Sequence, residues 1–121
     1  MLDHVGLNVR DYEASRRFYE EALEPLGYSI VMAMDEWKAA GFGRGRKPSF
    51  WIAQREPFGT GTHVAFEAAD RAAVDAFHAA ALGAGGRDNG APGIRAEYHP
   101  TYYGAFVLDP DGNNAEAVCH T

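Results

Sequence analysis

Cysteine is almost missing from this chain. Cys119 stands alone, so no disulfide can form within the chain, and that fits a reducing compartment. Its apolar neighbours make it a small buried hydrophobe rather than a nucleophile. Positive charge is also scarce. There are 11 Lys and Arg against 17 Asp and Glu, a formal net charge of −6. The basic pairs Arg16/Arg17 and Arg46/Lys47 are too short to build the field that nucleic acid or an anionic membrane would need. No apolar run approaches a membrane span, and Asp3 and His4 follow the start at once, without the charged-then-apolar order of a signal segment. Low-complexity blocks are absent too, which argues against disorder. These absences lead us to expect a cytoplasmic protein with no nucleic-acid and no membrane partner.

What the sequence does contain is one unit written twice. With His63 laid on His4, eight of the 24 positions from His4 to Gly27 are identical: the mates of His4, Val5, Asp11, Ala14, Phe18, Ala22, Leu23 and Gly27. Ordinary residue usage gives about one or two such matches. In each copy an apolar alternation (Val5, Leu7, Val9; Val64, Phe66, Ala68) predicts a half-buried strand. An Asp suited to capping a helix follows, Asp11 or Asp70, and then apolar residues at three- and four-residue steps. Each helix is expected to stop near a glycine, Gly27 or Gly86.

Three more strands are expected in each copy. In the first they are "YSIVMAM", "WKAAGFG" and "SFWIAQ"; in the second, "GIRAEY", "YYGAFVL" and "AEAVCH". The "LDPDGNN" turn is clearest, with Pro110 presetting it and Gly112 taking positive φ. The fold class is therefore α+β: two βαβββ modules, residues 1–54 and 62–121, packed as a single domain over 1–121. The modules form a curled mixed sheet with a cleft, and the helices lie on the outer face.

Period two then sorts the polar residues. If Val5, Leu7 and Val9 face the helix, His4 and Asn8 face the cleft; His63 and Glu67 do so in the second module, and Glu116 shares a face with Val118 and His120. Two imidazoles and a carboxylate converging there, or at the equivalent place in a dimer, would suit a divalent ion with positions left open for substrate. By position in the last hairpin, Trp51 is the repeat mate of Glu116, and an indole cannot bind metal. Three ligand positions remain: His4, His63 and Glu116.

The stretches "DHVGLNVRDYEASRRFYEEALEPLGYSIV", "HVAFEAADRAAVDAFHAAALGAGG" and "FVLDPDGNNAEAV" together resemble the vicinal oxygen chelate superfamily, which includes glyoxalase I, bleomycin resistance proteins and extradiol dioxygenases. In its metal-using members the ligands sit on the first strand of each unit and on a last strand, which His4, His63 and Glu116 match. The resemblance implies a homodimer and a divalent cofactor such as Fe, Mn, Zn or Ni. It further implies lyase, isomerase or dioxygenase chemistry on a substrate with vicinal oxygens, with Glu116 touching the reaction. Glyoxalase I differs by carrying a carboxylate where Trp51 stands.

The loop "GAPGIRAEYHPTYYG" could supply acid and base groups through His99, Tyr102 and Tyr103. Trp51 and Phe50 would wall a substrate pocket together with Asn8, Glu67 and Tyr103; as aromatics the first two fit a core equally well. The alternative function is metal-free sequestration of a small molecule, of the bleomycin-resistance type.

Overall fold

Asp11 and Asp70, mates in the repeat, each cap a helix in the same way. The Asp11 carboxylate accepts from the Ala14 amide at 3.2 Å, and that of Asp70 from the Ala73 amide at 2.8 Å. These caps fix where the chain leaves each leading strand. A computed structural model describes residues 1–121. In the first module β1 (Val5–Val9) leads to α1 (Tyr12–Leu23) and a 3₁₀ turn over Glu24–Leu26. Then come β2 (Ser29–Met34), a second 3₁₀ turn over Asp35–Trp37, β3 (Ala39–Gly43) and β4 (Phe50–Gln54). The second module runs β5 (His63–Glu67), α2 (Arg71–Gly83), β6 (Arg87–Ile94), β7 (Tyr103–Leu108) and β8 (Asn114–Cys119).

Each module forms its own four-stranded sheet, in the orders β1-β4-β3-β2 and β5-β8-β7-β6. The leading and closing strands of a module pair in parallel, and the remaining pairs are antiparallel. Gly6 lies opposite Trp51 in the first sheet, and Ala65 lies opposite Glu116 in the second. Gly6 and Ala65 are repeat mates, so Trp51 and Glu116 occupy equivalent places.

The helix-facing sides of both sheets share one core. Phe18, Tyr19, Phe42, Phe50, Phe66 and Phe77 are all buried in it. Phe50 and Phe66 meet edge to face across the module boundary, with ring centroids 5.1 Å apart, and Tyr28 meets Phe66 at 5.6 Å. Each such ring contributes about 1.5–3 kcal/mol by leaving water, so the two modules stabilise one another. Polar links add direction to this packing. Tyr19 on α1 donates its hydroxyl to Asp109 at 2.6 Å, and Asp109 also accepts from the backbone amides of Asp111 and Asn113. Arg44 donates to the backbone carbonyls of Leu26 and Glu67.

Some expectations need correction. The strand placed on "GIRAEY" is β6, which begins earlier, at Arg87, and ends at Ile94; Arg95 to Thr101 instead form turns, with the Tyr98 and His99 amides both bonded to the Arg95 carbonyl. Gly90 takes φ 155° and the register slips on either side of it, so β6 holds together without regular alternation. α2 finishes at Gly83, three residues before Gly86, whose amide donates to the Ala81 carbonyl at 2.9 Å and so closes the helix end as well. The lack of a side chain at Gly86 serves packing, since a Cβ there would come within 2.5 Å of both Phe18 and Val107. Phe50 belongs to the core rather than to a pocket wall. The "LDPDGNN" turn is as expected, with Gly112 at φ 87°.

Candidate functional site

In the second sheet, β8 carries a carboxyl buried to 1% exposure, that of Glu116. Its Oε1 is hydrogen-bonded to His63 Nε2 at 2.8 Å, and its Oε2 accepts from the Tyr102 hydroxyl. Each partner arrives for a local reason. His63 opens β5, the strand parallel to β8, with its side chain on the same face and half exposed. Tyr102 closes the Arg95–Thr101 turns just before β7. Gly104 lets Glu116 and Tyr102 lie close, because a Cβ there would stand 3.2 Å from both Glu116 Oε2 and the Tyr102 ring. Burial first, and then the bond to Glu116, raise the Tyr102 phenol well above its ordinary range.

His4 stands apart from this cluster. Its Nδ1 is 2.7 Å from Asp3 Oδ1, and its Nε2 makes no hydrogen bond to protein. Asp3 in turn binds Lys47 at 2.5 Å; that bond, and secondarily the one to His4, hold the Asp3 carboxyl below the usual range. No three His, Cys, Asp or Glu side chains gather with metal-binding geometry. The site therefore presents two donors of suitable type, one imidazole nitrogen and one carboxyl, with the third candidate nearby in sequence logic but not in contact. His4 does border β5: it shares a small cavity with Val64, Ala65 and Phe66.

The other candidates divide between the faces. Trp51 and Asn8 line a cavity of about 430 Å³ over the first sheet, which His4 also borders. Asn8 donates its amide to the Pro57 carbonyl at 3.0 Å. Trp51 lies flat because β3 offers Gly41 directly opposite; a Cβ there would stand 2.9 Å from two indole carbons. Tyr103 turns to the helix side, donating to Asp75 on α2 at 2.6 Å beneath the Arg71 guanidinium. The Glu67 side chain is exposed at the end of β5, making no hydrogen bond or ion pair. His99 accepts from the Thr101 amide and packs its ring 6.1 Å from that of His120, outside the Glu116 cluster.

Among the cavity residues that sequence reasoning missed are Met34, Trp37 and Arg55. Trp37 was the one with a visible signal, a large apolar ring in the polar stretch "MDEWK", and it proves 66% exposed at the cavity rim.

Comparison with known proteins agrees with this architecture. Residues 1–117 match the family model of the Glyoxalase/Bleomycin resistance protein/Dioxygenase superfamily. No curated protein matches the chain. Among solved structures, a glyoxalase/bleomycin resistance protein from Albidiferax ferrireducens T118 is 31% identical with a TM-score of 0.82, the match covering 98% of this chain and 97% of that one. A glyoxalase/bleomycin resistance protein/dioxygenase family enzyme from Burkholderia phytofirmans PsJN is 20% identical with a TM-score of 0.72, covering 98% of each chain. A glyoxalase I mutant from Zea mays is 23% identical with a TM-score of 0.70, covering 95% of this chain and 45% of that one. The last two likenesses speak for the fold alone. The chain belongs to the Glyoxalase/Bleomycin resistance protein/Dioxygenase superfamily.

Proposed function

We propose that the protein is a divalent-metal-dependent enzyme of the vicinal oxygen chelate type, a lyase, isomerase or dioxygenase acting on a small substrate with two adjacent oxygens. The observation that carries this reading is the buried Glu116 carboxyl bonded to His63. Its repeat mate Trp51 fills the equivalent position with an indole, so the fold itself does not require a carboxyl there. Burying one has a cost unless it is partnered, which makes Glu116 a candidate for chemistry rather than packing.

In this reading His63 and Glu116 hold the ion and His4 is the third donor. The Asp3–His4 contact supports that role: a carboxylate on Nδ1 fixes the tautomer and leaves Nε2 free to bind metal. The bound ion would supply Lewis acidity toward a developing oxyanion. The chain's own residues do the rest. Tyr102 holds Glu116 in one orientation, and Trp51, Trp37 and Asn8 border the cavity over the first sheet, where substrate would lie. His99 and Tyr102, in the neighbouring turns, are candidates for moving protons. Trp51, where glyoxalase I carries a carboxylate, speaks against that isomerisation. A cytoplasmic homodimer completes the proposal. The exposed Met32 and Ile94, on the outermost strands β2 and β6, support association of two copies.

Purification without chelators, followed by mass-spectrometric metal analysis of the parent and of His4→Ala and Glu116→Ala, tests this reading. About one equivalent of transition metal in the parent and loss in both variants is expected. A parent that stays metal-free after incubation with Fe(II), Mn(II), Zn(II) and Ni(II) would overturn it.

A further inference from the structure

The 430 Å³ cavity over the first sheet has a charge opposite to that of the molecule around it. The chain carries 17 acidic residues, yet none lines this space; its only titratable neighbours are Arg55 and His4. Arg55 is exposed and makes no ion pair or hydrogen bond to protein; seven of the 11 Lys and Arg lack a carboxylate partner, and among them Arg55 alone lines this space. Two indoles border the same space: Trp51, lying against Gly41, and Trp37, exposed at the rim beside Met34. A flat apolar wall and one unpartnered guanidinium is the lining that a planar ring bearing a single anionic group would match.

We propose that this cavity binds a planar aromatic carboxylate, its ring against Trp51 and Trp37 and its carboxylate on the Arg55 guanidinium. The proposal rests on the reading of the cleft as a substrate site and names the class of molecule that site takes. Indole faces also attract cations, but a cation would here meet Arg55 with no acidic side chain to offset the repulsion. The carboxylate gains instead a bidentate, charge-assisted pair, which Arg provides better than Lys.

Calorimetric titration of chelator-stripped protein with 2-naphthoate, 2-naphthamide and 2-naphthylmethylammonium separates these cases without any metal. Naphthoate is expected to bind most tightly and the ammonium compound most weakly. Arg55→Gln should weaken naphthoate about tenfold while leaving naphthamide unchanged. Arg46→Gln removes an exposed positive charge away from the cavity and should leave naphthoate binding unaltered, and Trp51→Leu should weaken both naphthoate and naphthamide. The titrations need no metal, so failure of the metal reading and failure of this one are read separately. Absence of naphthoate binding, tighter binding of the ammonium compound, or an Arg55→Gln variant that binds naphthoate like the parent would each overturn the proposal.

Discussion

Tyr102 and Glu116 are joined hydroxyl to carboxyl, with His63 on the other oxygen, so neither Glu116 oxygen is left without a partner. Tyr102→Phe removes one donor from a buried acceptor and is expected to lower the unfolding free energy by about 1–3 kcal/mol. Urea unfolding at neutral pH measures this. An unchanged midpoint and slope would mean that the bond adds nothing to stability.

High pH should act through phenols held above their ordinary value, Tyr19 and Tyr102 among them. Burial, then the neighbouring Asp109, raises Tyr19 well above 10.0, and burial, then Glu116, raises Tyr102 in the same direction. A phenol whose folded value is raised holds its proton more tightly when folded. Its contribution to stability is complete below the unfolded value of 10.0 and is lost as pH rises through the folded value. The melting temperature should therefore fall as pH climbs past 10.0, and Tyr19→Phe should make that fall shallower. A melting temperature that is flat or rising in that range would contradict the assignment.

Gly41 is a requirement of Trp51. Gly41→Ala would set a Cβ 2.7 Å from the Pro48 Cβ and 2.9 Å from the indole. Overpacking of this kind costs about 1–3 kcal/mol. Trp51 should move off the sheet, seen as a change in tryptophan emission together with a lowered urea midpoint; an unchanged spectrum and midpoint would show that the ring does not depend on this glycine.

Much of this was legible in the sequence, and the reason lies in particular residues. The match of His4 with His63 and of Asp11 with Asp70 exposed the repeat, and period two along β5 and β8 put His63 and Glu116 on one face, where they are hydrogen-bonded. What failed was local pattern in glycine-rich chain. "RAEY" alternates like a strand but turns, while "RDNGAPGI" has only Ile94 as a strand former yet pairs with β7 through irregular register. The cavity was legible only in part, for a different reason. Asn8 and Trp51 were expected at a pocket, but Trp37 and Arg55 are brought to them only by the β1-β4-β3-β2 order and its turns, which no local pattern encodes. The Asp3–His4 pairing, a contact between neighbours, was likewise invisible to an argument from strand faces.

Phe66 tests the union of the modules. It touches both Phe50 and Tyr28 of the first module. Phe66→Ala is expected to cost about 3–5 kcal/mol, a large share of the ~5–15 kcal/mol that holds a typical domain folded. Thermal unfolding should shift strongly downward as a single transition. A small shift, or two separate transitions, would show that the modules fold independently of this contact.

The central claim is that Glu116 and His63 are metal donors, and titration of chelator-stripped protein with Mn(II), read by the electron paramagnetic resonance of the free ion, tests it most directly. The parent is expected to take up about one equivalent, and Glu116→Gln, which keeps the size of the side chain, to lose at least about tenfold in affinity. Equal uptake by parent and variant, or none by the parent, would contradict the claim.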